Sequence, residues 1–227
     1  MLEIRNFSKS YEKGKRAVDN LSLTVKDGEI YGFIGHNGAG KSTTLKAVVG
    51  VLGFEEGEIE IDGISVRKDP VAAKKITAFI PDNPDIYDYL TGAQYLRFIA
   101  DLYRVTEAER KERVGRYAAA FEIGDRLEDL ISSYSHGMKQ KLVLISAFLH
   151  APKLLVLDEP FVGLDPKAAF TLKEMFRAFC KEGGGIFFST HVLEVAEKLC
   201  DRIGIIKAGK LIAEGTVSEV VGGGSLE

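Results

Sequence analysis

Gly35-His36-Asn37-Gly38-Ala39-Gly40-Lys41-Ser42 completes the pattern G-x-x-x-x-G-K-[ST], and that octet sets what the rest of the chain must supply. Glycines without a Cβ let successive backbone N–H groups curl round a phosphate chain, and a helix N-terminus just behind them adds its positive dipole end. Lys41 is then expected to reach the β- and γ-phosphates, and the Ser42 hydroxyl to ligate Mg²⁺. The flanks agree. The apolar run Ile30-Tyr31-Gly32-Phe33-Ile34 predicts a strand leading in, and Ser42 to Val49 predicts a helix leading out. Strand, loop and helix in that order make a plain glycine-rich turn a poor alternative, and a nucleoside triphosphate is the expected ligand.

Size and composition fit this expectation. The chain has 227 residues, 45% of them hydrophobic, which suits one large α/β domain or one domain carrying an inserted lobe. With 30 basic and 33 acidic residues the net charge is −3, so there is no bulk electrostatic footprint for nucleic acid, and no nucleic-acid partner is expected. Cys180 and Cys200 lack C-x-x-C spacing and read as ordinary thiols of a reducing compartment. The first residues, Met-Leu-Glu-Ile-Arg, lack the regions of a signal peptide. The run Leu142 to Leu149 is far shorter than the roughly 20 apolar residues that span a bilayer. Any membrane span is therefore expected from another polypeptide.

Residues 2–34 alternate strand and turn, and Glu58 to Gly63 adds another alternating strand, which together predict an antiparallel β region wrapped around the 30–34 strand. Ile76 to Ile80 reads as a strand stopped by Pro81. From Thr91 to Leu149 the period becomes helical: Tyr95, Phe98, Ile99 and Leu102 share one expected face, and Met138, Leu142, Ile145 and Leu149 another. Glu107 to Phe121 reads as a charge-rich, solvated helix. Strands are expected at 153–157, 185–189 and 202–206, helices at 167–181 and 192–199, and a hairpin over 205–213. The predicted division is a core of 1–81 and 151–221, a helical lobe at 82–150, and a flexible end at 222–227, native or added.

Leu154-Leu155-Val156-Leu157 delivers Asp158 and Glu159 at a strand end. Beside a phosphate loop, the first acid is suited to ordering Mg²⁺ and the second to polarising an attacking water. Phe161-Val162-Gly163-Leu164-Asp165-Pro166 follows, Ser189-Thr190-His191 closes the next strand, and Tyr134-Ser135-His136-Gly137-Met138 stands upstream. In order and over essentially the whole chain, these segments resemble the Walker A, signature, Walker B, D-loop and H-loop of the ATP-binding cassette (ABC) ATPases.

The resemblance implies a P-loop core with an antiparallel β subdomain and an inserted helical subdomain. It implies ATP as substrate, with Mg²⁺, bound through Gly35, Asn37, Gly38, Ala39, Gly40, Lys41, Ser42 and Thr43. Lys41, Glu159 and His191 would serve hydrolysis, His191 contacting the γ-phosphate and holding the water or Glu159. Asp158 and Ser42 would attend the metal. Tyr11, 30 residues before Lys41, stands where the family stacks an aromatic on adenine; a strand-edge core tyrosine is the competing reading. Two copies would pair head to tail, with Ser135 and Gly137 of one meeting the γ-phosphate held by the other, and Asp165 linking the sites across the interface. There are two departures. His136 and Met138 break the usual Leu-Ser-Gly-Gly-Gln, and Asp82 stands where a glutamine is usual, which puts an acid near Mg²⁺ and the membrane-subunit contact.

Gly137-Met138-Lys139-Gln140-Lys141 and the stretch after His191 look like the separate ATPase subunits of bacterial ABC-2-type exporters. The implied partner is a transmembrane permease, docked along Asp82 to Tyr103 where Tyr87, Tyr89, Tyr95 and Phe98 lie, and the implied location is the cytoplasmic face of the membrane. A single-core ABC ATPase acting in assembly or regulation, for example of the iron–sulfur type, stays open as the other reading. The transported substrate is not written in this chain.

Overall fold

The structure, a computed structural model, describes all residues except 13, 14, 84 and 223–227. Its centre is a six-stranded sheet. In chain order the strands are β3 (Ile30–Ile34), β6 (Thr77–Ile80), β7 (Leu154–Asp158), β8 (Gly185–Thr190), β9 (Arg202–Lys207) and β10 (Lys210–Thr216), arranged β10-β9-β3-β8-β7-β6. All neighbours are parallel except β10 on β9. β3, β7 and β8 are buried along their whole length, as expected of parallel strands covered on both faces.

Residues 30–34 therefore do not sit in an antiparallel region. β1 (Leu2–Glu12), β2 (Lys15–Val25), β4 (Glu56–Ile61) and β5 (Ile64–Ser65) form their own antiparallel sheet, ordered β2-β1-β4-β5. The run 30–34 is apolar at every position, which marks a central parallel strand rather than the one-sided alternation of β1 or β4.

Strand period two divides the core. Leu154 and Val156 of β7 join Phe187, Tyr31 and Phe33 in a layer shared with Leu2, Ile4, Leu23, Ile59 and Ile61 of the antiparallel sheet. Leu45 and Val48 of α1 (Lys41–Val48) lie in the same layer. Leu155, Leu157, Ile186 and Phe188 face the opposite way, onto Leu172 and Phe176 of the helix Pro166–Lys181. Burying each such side chain stabilises the fold by about 1.5–3 kcal/mol. This two-sided packing holds the C-terminal ends of β3 and β7 at fixed positions on either side of β8.

Helices run in chain order from α1 through α2 (Pro70–Lys75), α3 (Gly92–Leu102), α4 (Glu107–Ala120), α5 (His136–Leu149), α6 (Pro166–Lys181) and α7 (Leu193–Leu199) to α8 (Val217–Gly222). The short α2 was not among the expected helices, although Asp69 caps it and Pro70 opens it, a recognisable start. Thr91 with Gln94, and Thr106 with Glu109, close capping boxes on α3 and α4. The expected α3 face is rotated: Tyr95, Leu96 and Ala100 are buried, whereas Phe98 and Leu102 are exposed. α3 is apolar on more than one side, so periodicity could not choose which side packs on α5. α4 is solvated, with only Ala118 buried. α5 is buried nearly all round from Gln140 to Leu149 rather than along one stripe. Gly222 closes α8 and so does not begin a flexible end; the rest of that expectation, 223–227, lies outside the described residues. Cys180 and Cys200 are free, and burial pushes the Cys180 thiol up to about 12, so neither is poised as a nucleophile.

Candidate active site

The phosphate loop hangs between β3 and α1. Gly35 N donates to Thr190 O at 3.3 Å, which ties the loop to the end of β8. Gly40 takes φ +112°, and a Cβ there would stand 2.7 Å from Ala17 O, so only glycine closes this turn. α1 then opens at Lys41 with no side-chain cap, leaving its first N–H groups free for an anion. Lys41 is 5% exposed, and its Nζ donates to Gly35 O at 2.6 Å and to His36 O at 3.3 Å. A desolvated ammonium over a ring of N–H groups is a phosphate receptor.

β7 brings the acids. Asp158 is 2% exposed, and its Oδ1 accepts a hydrogen bond from Ser189 Oγ across the β7–β8 pair. Glu159 N donates to Ser189 O and Ser189 Oγ, each at 3.2 Å. Glu159 itself sits at φ +49°, left-handed for a residue with a side chain, which costs on the order of 1–3 kcal/mol. The bend swings its carboxylate back over the loop. Glu159 Oε1 lies 3.8 Å from Lys41 Nζ and 2.8 Å from His191 Nδ1. A proton on Nδ1 that faces the carboxylate leaves Nε2 as the outward-facing atom of a half-exposed ring.

A cleft of about 490 Å³ joins these groups, lined by Tyr11, Ala17, Asn37, Gly38, Gly40, Lys41, Ser42, Thr43, Asp82, Asp158 and Glu159. A neighbouring hollow of about 450 Å³ shares Tyr11, Ala17 and Gly38 and adds Lys15, Arg16 and Ala208. Tyr11 is 62% exposed, with its hydroxyl 3.2 Å from Thr43 Oγ1. It is not a core tyrosine, and its ring is available at the mouth of both spaces. Asp82 is exposed on the cleft wall, its Oδ1 accepting from Asn83 N at 2.9 Å. Among the described residues no three His, Cys, Asp or Glu side chains gather round one point. The oxygen donors of Ser42, Asp158 and Asp82 on the cleft wall suit a hard cation that keeps its own waters and phosphate ligands.

Gly35, Ala39 and His191 adjoin the cleft without lining it, whereas Ser135, Gly137 and Asp165 stand apart from it. Ser135 is exposed at the N-terminus of α5, capping it by accepting from Met138 N at 3.2 Å, and Gly137 follows in the first turn. Asp165 caps α6, accepting from Ala168 N at 2.8 Å, and its carboxylate pairs with Lys141 Nζ at 2.8 Å. That ammonium, with the helix amides, holds the Asp165 carboxyl below its usual range. Sequence reasoning missed Ser189 as the organiser of both acids. Its signal lay in Ser189-Thr190-His191, but only the register Asp158↔Ser189 shows which strand the hydroxyl serves.

The ABC transporter family model matches residues 18–162, well over half of the chain. The chain belongs to the ABC transporter ATP-binding family. Its curated relatives include the uncharacterized ABC transporter ATP-binding protein YhcH of Bacillus subtilis (strain 168), 37% identical over 213 residues, which span 93% of this chain and 68% of YhcH. The linearmycin resistance ATP-binding protein LnrL of the same organism is 35% identical over 220 residues, 97% of this chain and 70% of LnrL. Among solved structures, an ATP-binding subunit of an ABC transporter superposes with a TM-score of 0.93 at 36% identity, covering 97% of this chain and 91% of that one. The fold is thus the ABC ATPase fold, and the chain is an ATPase subunit of this class. Residues 35–42 and the strand 154–158 with Asp158 and Glu159 lie inside the matched span. No helix among the described residues is long and apolar enough to cross a membrane.

Proposed function

We propose that this ABC ATPase binds MgATP in the cleft and hydrolyses it as one half of a head-to-tail pair, driving export through a separate permease. The observation that carries the reading is the split site. The cleft of one chain assembles Lys41, Ser42, Asp158 and Glu159, whereas the capped N-terminus of α5, with Ser135 and Gly137, faces solvent outside it. A helix N-terminus with an exposed hydroxyl is a natural γ-phosphate ligand, and a second copy would supply it.

The roles follow from the geometry. Lys41 and the N–H groups of Gly38 to Thr43 would hold the β- and γ-phosphates, and Tyr11 would stack on the base. Glu159 would accept a proton from the attacking water, its carboxylate aimed by His191 and by the strained bend at the end of β7. His191 Nε2 would face the γ-phosphate. Mg²⁺ arriving with the nucleotide would be held by Ser42 and Asp158, with Asp82 nearby, and neutralises phosphate charge when bound. Asp165 would meet the partner chain beside its own α6 cap.

Tyr87, Tyr89 and Phe98 form an exposed aromatic group, with Tyr87 5.8 Å from each of the other two. This surface supports docking of a permease, which would hold the ATPase at the cytoplasmic face of the membrane. ATP turnover by the purified chain tests the assignment: Lys41→Ala should abolish measurable hydrolysis, because it removes the buried ammonium that the loop carbonyls of Gly35 and His36 hold over the phosphate site. Near-normal turnover with unchanged ATP affinity would refute it.

A further inference from the structure

Helix α5 turns one stripe toward the segment between Glu159 and α6. His136, Gly137, Gln140 and Lys141 lie on that stripe, successive turns bringing positions 136, 137, 140 and 141 to one side. A Cβ placed on Gly163 would stand 2.4 Å from His136 Cδ2, and one placed on Gly137 would stand 2.8 Å from Gly163 O. The backbone at Gly163, at φ +79°, therefore lies directly against the first turn of α5, an approach that only glycine at both positions permits. One turn further along, Lys141 Nζ pairs with Asp165 Oδ2 at 2.8 Å. Between these contacts Gln140 is fully buried, and its Nε2 donates to Pro160 O at 3.4 Å.

Gln140 is the odd member. Among the described residues its Oε1 has no hydrogen-bond partner, and its one bond is long. A buried amide satisfied this poorly costs stability relative to an apolar side chain of the same length. What the amide contributes instead is direction: it reaches the carbonyl of the residue immediately after Glu159.

We infer that Gln140 is a positioning residue for Glu159, and that the stripe His136–Lys141 fastens α5 to residues 160–165 so that the two move as one piece. The inference rests on the head-to-tail reading above. In such a pair the N-terminus of α5 meets the partner's ATP, while Glu159 serves the chain's own ATP. A strut that joins them inside one chain makes engagement of one nucleotide adjust the base at the other. The two sites then fire together, and loss of the strut uncouples them without removing any group that touches nucleotide.

The test uses the full chain with Gln140→Met, which keeps length and removes the donor, and separately Lys141→Met, which breaks the pair with Asp165. Turnover is measured against ATP concentration, alongside thermal melts. Gln140→Met should melt at or above the wild-type temperature, while kcat falls about tenfold and KM changes little. The Hill coefficient should drop toward one in both variants. In a Glu159→Gln background, Gln140→Met should still form the ATP-dependent dimer. Unchanged kcat and Hill coefficient in both variants, with that dimer intact, would overturn the strut alone. A loss of kcat that merely tracks a lowered melting temperature would also overturn it, reducing Gln140 to packing. Failure of Glu159→Gln by itself to dimerise with ATP would overturn the head-to-tail reading, and the strut with it.

Discussion

Ser189→Ala removes one hydroxyl and is expected to damage both stability and turnover. The side chain is wholly buried; it donates to Asp158 Oδ1 and accepts from Glu159 N at 3.2 Å. Asp158, only 2% exposed, would lose a hydrogen bond to a charged group, a loss of about 1.5–3 kcal/mol. Glu159 N keeps its bond to Ser189 O at 3.2 Å, so the second loss is the smaller one. For a chain of this size each kcal/mol lowers the melting temperature by about 2–4 °C, which places the expected drop at roughly 3–12 °C. Turnover should fall by about tenfold or more, because Glu159 sits in a left-handed bend that relaxes when its anchor weakens. ATP affinity should stay within about twofold, since Lys41 and the loop amides are untouched. Differential scanning fluorimetry without nucleotide, nucleotide titration and steady-state hydrolysis together check this. A variant with unchanged melting temperature and unchanged kcat would refute the assignment of Ser189 as organiser of the two acids.

Tyr11→Ala should weaken binding of ATP and GTP alike by about 1–3 kcal/mol, because stacking uses only the face of the base; titration calorimetry reads it, and lost stability with unchanged affinity would point to packing instead. Burial pushes His150 down to about 4 from the ordinary 6.5; the Thr77 carbonyl it faces opposes the shift, and Arg113 adds a smaller push downward. The folded state keeps this ring neutral while the unfolded chain takes up a proton, so stability should fall as pH drops from about 6.5 to about 4. His150→Phe should flatten the melting-temperature profile in that window, and an unaltered slope would contradict the assignment.

Much of this molecule was legible because its chemistry is local. The phosphate loop, the acids at the end of β7 and the His191 turn are contiguous stretches, and the fold brings them to one place. What was not legible depends on which surfaces meet. β3 reads as a strand, but only long-range pairing puts it between β9 and β8 rather than among β1, β2 and β4. α3 carries apolar residues on several sides, and the position of α5 decides that Tyr95 is core and Phe98 surface. Ser189, Gln140 and Lys141 gain their roles from neighbours some 20 to 31 positions away, such as Asp158, Pro160 and Asp165. Spacing within the chain gives no sign of such pairs.

The central claim is that ATP, bound at one chain's Walker A loop, is completed by Ser135 of a second chain. Glu159→Gln keeps the size of the side chain but cannot take the water's proton, so ATP should remain bound and unhydrolysed. Mass action then favours the assembled state that holds it. Size-exclusion chromatography of Glu159→Gln, at high protein concentration and low salt, should show a dimer with ATP and a monomer with ADP. Adding Ser135→Arg should abolish the dimer, because a long cation would fill the place where the γ-phosphate docks. If the double variant dimerises with ATP as well as the single variant does, the head-to-tail site is wrong.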